Sequence, residues 1–288
     1  MTNPASVGTL YLLATPIGNL GDITLRSIEV LKQVSAVTAE DTRRSRQLLS
    51  HLGISGKPLH CVDAHVSERT LDRIVSLLLE GQTLALLTDA GTPGVSDPGA
   101  ALVRRCRDAE IPVVALPGPS AVTTAVAASG LVDSAFLFLG FLPRKGEKRR
   151  RAVERILGTR EPVVLFEAPS RMQQTLVDLS RLMPQRLLCV ARELSKRFEQ
   201  VTTRPLADWA EATQEWKGEL TLVLGAALEA TQEQALSPDD LDRHILGALA
   251  QGRAAKAITL ELLPLTTHSR QQLYARVVEL KNSNNIEH

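Results

Sequence analysis

Apolar and β-branched residues gather in short runs separated by segments of helix length, an alternation that predicts a βαβ chain. Residues 10–14, 36–39, 58–62, 83–87 and 112–116 read as strands. Residues 24–34, 42–52, 67–79, 100–109 and 120–129 repeat apolar positions every three or four residues, the period of a helix with one buried face. Gly53, Gly81 and Gly130 stand where helix C-caps are expected. A run that is apolar throughout, such as the Leu-Ala-Leu-Leu of 84–87, implies burial on both faces of a parallel sheet. These features predict an N-terminal parallel-sheet α/β domain over 1–118.

The pattern then changes. Strand-like runs at 136–142, 163–166, 187–191, 199–203 and 220–224 are accompanied by only two long helical segments, so a second α/β domain with a mixed sheet is expected over 119–228. A polar stretch over 229–238 reads as a linker, ending in Ser237 and Pro238, an N-cap followed by proline at the first helical position. Segments 239–251, 254–263 and 269–281 then predict a helical module of helix-turn-helix size over 239–283, with the tail 282–288 expected to fray. On length alone this module suits a helical cap or dimerisation element as well as nucleic-acid binding.

Composition narrows the class. Hydrophobic residues at 44% and charged residues at 23% are ordinary for a globular protein, and a net charge of +1 confines any polyanion site to a local patch. Aromatics at 3% leave few rings for stacking bases, so recognition of nucleic acid would rest on Arg, Lys and shape. Cys61, Cys106 and Cys189 lie far apart without metal-ligand spacing, so no metal is expected. The N-terminus lacks a basic region before its apolar stretch, and no apolar run reaches the roughly 18 residues of a spanning helix, so a cytoplasmic location away from membranes is expected.

Three Gly- and Pro-rich loops carry the chemistry: ATPIGNLGD at 14–22, TDAGTPGVSDPG at 88–99 and LPGPSA at 116–121, each following a predicted strand. In an open α/β sheet, ligands bind beyond the carboxyl ends of strands, and glycines there let a ligand approach the backbone. Asp89 can accept hydrogen bonds from a ligand, and Ser120 heads a helix whose free N–H groups suit an anionic or hydroxyl group. The phosphate cradles GxGxxG after the first strand and GxxxxGK[ST] are missing, as is a GxSxG elbow, which favours a small polar cofactor without phosphates.

Taken with AEDTR, GFLP, FEAPSR, AREL and GELTLVLG, these loops form an ordered set over about residues 10–225 that resembles the tetrapyrrole-methylase superfamily. The resemblance implies two α/β domains with the cofactor cleft between them, S-adenosylmethionine as cofactor, and a homodimer. It points to the branch that methylates the ribose 2′-oxygen of a cytidine in the decoding region of 16S rRNA, within the small ribosomal subunit. By position it implies cofactor contacts from Pro16, Ile17, Asp89, Gly94, Val95, Ser120 and Ala121, and from Phe166, Glu167, Arg192 and Thr221. The first loop departs from the GxGPGD-like sequence of the tetrapyrrole enzymes, which weakens a tetrapyrrole substrate. Ser170 stands where the branch more often has histidine, so no histidine base is assigned there.

Asp22, Glu40, Asp41 and Glu167 are carboxylates in motif loops and so candidates for a general base, each also suited to a structural role. Arg43 and Arg44 directly follow Glu40 and Asp41, either as an ion-paired framework or as a phosphate clamp. The run RKGEKRRR, comprising Arg144, Lys145, Lys148, Arg149, Arg150 and Arg151 among its cations, is expected to contact RNA backbone, with Lys196 extending that surface or pairing with its acidic neighbours. Two rival functions are a methyltransferase for a tetrapyrrole-like small molecule and a non-catalytic ribosome-assembly RNA-binding protein.

Overall fold

A computed structural model describes residues 7–227, 236–266 and 268–284, so most of the expected linker lies outside the described residues. The chain forms two compact units: Met1–Thr124 with Glu193–Glu199, and Ala125–Arg192 with Gln200–His288.

The first unit alternates β1 (Leu10–Leu13), α1 (Leu25–Gln33), β2 (Ala36–Ala39), α2 (Thr42–His51), β3 (Leu59–Cys61), α3 (Glu68–Leu79), β4 (Leu84–Leu87), α4 (Ala100–Asp108) and β5 (Val113–Leu116), after which α5 (Ala121–Ser129) begins. Its strands are all parallel, in the order β3-β2-β4-β1-β5. The all-apolar strands behave as their pattern requires. Leu84 and Leu86 pack on one face with Leu71, Ile74, Leu78 and Leu102 of α3 and α4, while Ala85 and Leu87 pack on the other with Leu31, Leu48 and Leu49 of α1 and α2. Each such leucine contributes about 1.5–3 kcal/mol by leaving water. Thr24, Asp41 and Ser67 cap their helices by accepting hydrogen bonds from the N–H groups of Ser27, Arg43 and Thr70.

Register positions the site. Leu13 lies opposite Leu87 and Leu116, and Ala39 opposite Leu87, so β2, β4, β1 and β5 end at one level and their following loops emerge side by side.

The second unit holds β6 (Leu137–Phe141), α6 (Gly146–Leu157), β7 (Val163–Glu167), α7 (Pro169–Ser180), β8 (Leu187–Arg192), β9 (Gln200–Pro205), α8 (Leu206–Glu211) and β10 (Leu220–Leu224). The sheet is mixed, in the order β6-β7-β10-β8-β9, with β6 and β7 parallel and the other pairs antiparallel. Ile156, Met172, Leu176, Leu206 and Trp209 from its helices bury Leu165, Val190 and Leu222 of the sheet.

In the same unit, α9 (Pro238–Ala250), α10 (Ala255–Leu262) and α11 (Arg270–Asn284) enclose a small core of Leu241, Ile245, Ile258, Leu262, Leu273 and Val277. Ser237 caps α9 by accepting from the Asp240 N–H, with Pro238 in the first turn. Leu260 of α10 packs against the core of the mixed sheet. The expected tail begins inside α11, which runs to Asn284, and 285–288 lie outside the described residues. Among the described residues no helix is long and apolar enough to cross a membrane.

Candidate active site

The three glycine-rich loops are fastened to one another at the carboxyl edge of the first sheet. Thr15 and Gly91 exchange both backbone hydrogen bonds at 2.9 Å. The Thr15 hydroxyl donates to the Thr88 carbonyl at 3.0 Å, and the Thr92 hydroxyl donates to the Pro119 carbonyl at 3.1 Å. Gly91 adopts φ 83° and Gly94 φ 85°, a left-handed region where a side chain would be strained. At Gly118 a Cβ would stand 2.8 Å from the Ala14 Cβ, so glycine lets the first and fifth loops meet. Pro16 and Ile17 are buried beneath this junction, whereas Gly94 and Val95 are exposed at the loop tip and Ser120 and Ala121 are half-buried.

Asp97 was not singled out by its sequence, yet it shapes the long loop: one carboxylate oxygen accepts from the Gly94 N–H at 2.7 Å and from the Gly99 N–H at 2.8 Å. The Asp-Pro-Gly order carries the signal for such an Asx turn. Thr15 and Thr92 had no comparable signal, because their partners are 73 and 27 residues away.

Carboxylates crowd this edge. Asp89 accepts from the Asp41 N–H at 3.1 Å and pairs with Arg44 at 3.3 Å, which ties the end of β4 to the end of β2. Glu40 beside them is pushed above the usual carboxylate range, by burial first and then by the negative charges of Asp89 and Asp97. Asp41 goes the other way. Hydrogen bonds from the Arg43 side chain and backbone hold it down to about 2, and the Arg43 guanidinium meets it at 3.0 and 3.2 Å. The pair Arg43 and Arg44 therefore forms an ion-paired framework.

A stability prediction follows for Glu40. Folding raises its proton affinity, so ionising it costs the folded state. That deficit is absent below the ordinary carboxylate range and grows as pH rises through the raised value. Glu40→Gln removes the deficit. The urea midpoint of the variant should exceed that of the wild type at pH 8 and converge on it towards pH 4; an equal difference at both pH values would contradict this electrostatic account.

Asp22 is engaged by a segment remote in sequence. Its carboxylate accepts a hydrogen bond from the Ser195 hydroxyl, within the same unit. Gly18 makes room for this segment, since a Cβ there would lie 2.4 Å from the Lys196 side chain and 2.8 Å from the Leu194 carbonyl. Glu193 and Ser195 adopt φ 53° and 66°, left-handed values for residues that carry a Cβ. Lys196 pairs with Glu193 at 2.8 Å, which is the ion-pair alternative considered for it.

In the second unit, Phe166 and Thr221 stand opposite each other on β7 and β10, and Thr221 also faces Ala191 on β8. Phe166 meets Phe138 and Phe141 at ring separations of 5.2 and 5.5 Å, and Phe141 is 55% exposed. Arg192 donates to the Lys217 carbonyl at 2.8 Å and to the Gln200 side chain at 3.2 Å. Glu167, only 2% exposed, spends both oxygens locally: it accepts from the Ala168 N–H at 2.8 Å, from Arg171 at 2.7 Å and from the Thr175 hydroxyl at 2.6 Å. It anchors the start of α7.

The basic run splits. Arg149, expected at an RNA surface, has a side chain only 12% exposed and donates to Asp178 at 2.7 and 3.0 Å and to Thr175 at 3.1 Å. It belongs to the internal framework joining α6 to α7, because helical spacing sets it on the stripe of Val153 and Ile156. Arg150 and Arg151 pair with Glu147 and remain exposed, and among the described residues Arg144, Lys145 and Lys148 form no ion pair. No cluster of three His, Cys, Asp or Glu side chains among the described residues would hold a metal, and the three cysteines are free.

The fold is shared. The family of tetrapyrrole (corrin/porphyrin) methylases matches residues 9–210. Ribosomal RNA small subunit methyltransferase I of Mesorhizobium japonicum is 41% identical over 278 residues, covering 95% of this chain and 92% of its own. The protein of the same name from Synechocystis is 38% identical, over 96% of this chain and 99% of its own. Among solved structures, cobalt precorrin-4 methyltransferase superposes with a TM-score of 0.59 at 14% identity, over 78% of this chain and 98% of that one. Uroporphyrin-III C-methyl transferase from Thermus thermophilus, complexed with S-adenyl homocysteine, gives 0.54 at 18% identity, over 76% of this chain and 97% of that one. A match over more than two thirds of the chain, together with near full-length relatives, makes this protein a member of the tetrapyrrole (corrin/porphyrin) methylase family.

Proposed function

We propose that the protein transfers the methyl group of S-adenosylmethionine to the 2′-hydroxyl of a cytidine ribose in the decoding region of 16S rRNA, acting on the small ribosomal subunit. The observation that carries the cofactor is the acidic, glycine-rich edge of the first sheet. Asp89, Glu40 and Asp97 concentrate negative charge there; burial first and then this repulsion raise the proton affinity of Glu40, and a sulfonium cation would relieve the repulsive part. Gly94, with nothing within 4 Å of where a Cβ would stand, leaves the backbone open to close approach. The RNA substrate is supported by relatives named ribosomal RNA small subunit methyltransferase I that align along nearly the whole chain. Those relatives favour RNA over a tetrapyrrole, as does the ATPIGNLGD loop.

S-adenosylmethionine supplies an electrophilic methyl carbon on sulfur. The chain must hold the ribose oxygen in line with it and accept the hydroxyl proton as the carbon–oxygen bond forms and the carbon–sulfur bond breaks. Three of the four carboxylates serve poorly as acceptors. Asp41 is held at about 2, Glu167 has both oxygens occupied, and Asp22 already accepts from Ser195. Glu40 combines a raised proton affinity with a place at the ligand edge, so it takes the role of base in this reading.

The test incubates the protein with methyl-labelled S-adenosylmethionine and either small ribosomal subunits or a tetrapyrrole precursor. Label on a cytidine ribose is expected, and Glu40→Gln should lower kcat by about 10²-fold, the scale of general-base catalysis. Label on a base or on the tetrapyrrole would reject the reading, and RNA binding without transfer would favour the assembly-factor rival. A homodimer belongs to the proposal, supported by edge strand β5, which leaves Val114 and Ala115 exposed. So does a cytoplasmic location, where the subunit would be met.

A further inference from the structure

A basic cleft of about 370 Å³ lies in the second unit, lined by Arg151, Glu154, Arg155, Thr159, Lys256 and Arg270. Three elements build it. Arg151 and Arg155 are four residues apart on α6 and so share a face; Lys256 sits in the first turn of α10, and Arg270 opens α11. Gly158, just beyond α6, admits Arg270: a Cβ there would lie 2.4 Å from its guanidinium.

The charges do not cancel. Glu154 is the one carboxylate among the lining residues, and it already pairs with Arg150 at 2.6 Å and with Lys256 at 2.8 Å. Arg155 and Arg270 form no ion pair among the described residues, and Arg151 meets Glu147 through its Nε at 2.9 Å. Cations at the C-terminal end of α6 do gain from the helix dipole. That gain asks for no concavity and no convergence from three helices. Guanidinium forks converging on a hollow match the bidentate geometry of phosphate oxygens.

Arg155 also ends a line. Lys148, Arg151 and Arg155 follow one another at helical spacing, with Lys145 just before α6, so the cations extend about 15 Å along the helix. A line of that length suits a strand of phosphates better than one small anion.

We propose that this cleft binds backbone phosphates of an RNA strand, and that the C-terminal helices serve to complete it by supplying Lys256 and Arg270. The inference rests on the reading that the substrate is RNA.

The test measures binding of small-subunit rRNA to the full chain as a function of salt, for the wild type, for Arg155→Gln/Arg270→Gln and for the charge-preserving Arg155→Lys/Arg270→Lys. Losing two phosphate contacts should lower affinity about tenfold or more at 0.1 M salt and flatten the slope of log K against log salt by about 1.4 to 1.8. The lysine variant should keep most of the slope, and calorimetry should give the same S-adenosylmethionine affinity for all three. An unchanged affinity and slope in the glutamine variant would overturn the proposal, as would failure of the wild type to bind RNA at low salt. If inorganic phosphate raises the melting temperature of the wild type but not of the glutamine variant while RNA binding is equal in both, the cleft is a small-anion site and the proposal fails. RNA binding that behaves as expected without any methyl transfer would leave the cleft standing and reject the transferase reading, so the two failures are distinct.

Discussion

Asp89→Ala should raise the Kd for S-adenosylmethionine at least about 100-fold, or about 2.7 kcal/mol, while the protein still melts cooperatively. The size reflects a double loss. In the proposed site the carboxylate would be an acceptor for the ligand at the end of β4, and it also holds the Asp41 N–H at 3.1 Å and Arg44 at 3.3 Å, fixing the ends of two adjacent strands. A hydrogen bond involving a charged group is worth about 1.5–3 kcal/mol. Asp89→Asn separates the two roles, since its amide oxygen can still accept from Asp41 but carries no charge. An intermediate Kd for Asn is expected by calorimetry. Affinity for both variants equal to that of the wild type would remove Asp89 from the cofactor site.

Arg186→Met should destabilise the second unit by about 3–5 kcal/mol. Arg186 is 3% exposed and among the described residues has no carboxylate partner. Its guanidinium instead donates to the carbonyls of Gly225 at 2.7 Å, Ile156 at 3.2 Å and Glu161 at 2.9 Å, closing the C-terminal end of α6 onto the strand ends. Burial lowers its pKa to about 10, so it remains charged at neutral pH. Methionine fills similar space but leaves the Gly225 and Glu161 carbonyls without donors, each costing about 1–3 kcal/mol, while Ile156 keeps the Thr159 N–H. The urea midpoint should fall with the slope unchanged. A shift under about 1 kcal/mol would mean that water replaces the guanidinium.

Much of the first unit was legible because its strands are apolar at nearly every position and its helices carry caps and C-cap glycines, signals that are local in the chain. The ligand loop 88–99 was legible for a related reason: glycine and proline at that density constrain the backbone by themselves. The placement of charges was not. In RKGEKRRR every cation was expected at an RNA surface, although the helical period does put Arg149 on the stripe of Val153 and Ile156. What sequence withheld was Asp178, 29 residues away, which makes burying that charge tolerable. The partners of Glu167 were hidden in the same way, Arg171 and Thr175 standing four and eight residues further along the chain. The Arg186 staple gave no sign at all, since carbonyl acceptors are carried by every residue.

The segment Glu193–Glu199 has a consequence in time. The first unit is discontinuous, so on a ribosome its sheet and loops can emerge complete through Thr124 and still lack the piece that meets Gly18 and Asp22. That piece is made about 75 residues later, a delay of roughly 4 to 15 seconds at ordinary rates of synthesis. Until then the first loop waits with one side bare, and the strained Glu193 and Ser195 backbone can settle only after β8 has been made. The protein's earliest domain is thus finished only after much of the second unit has been made.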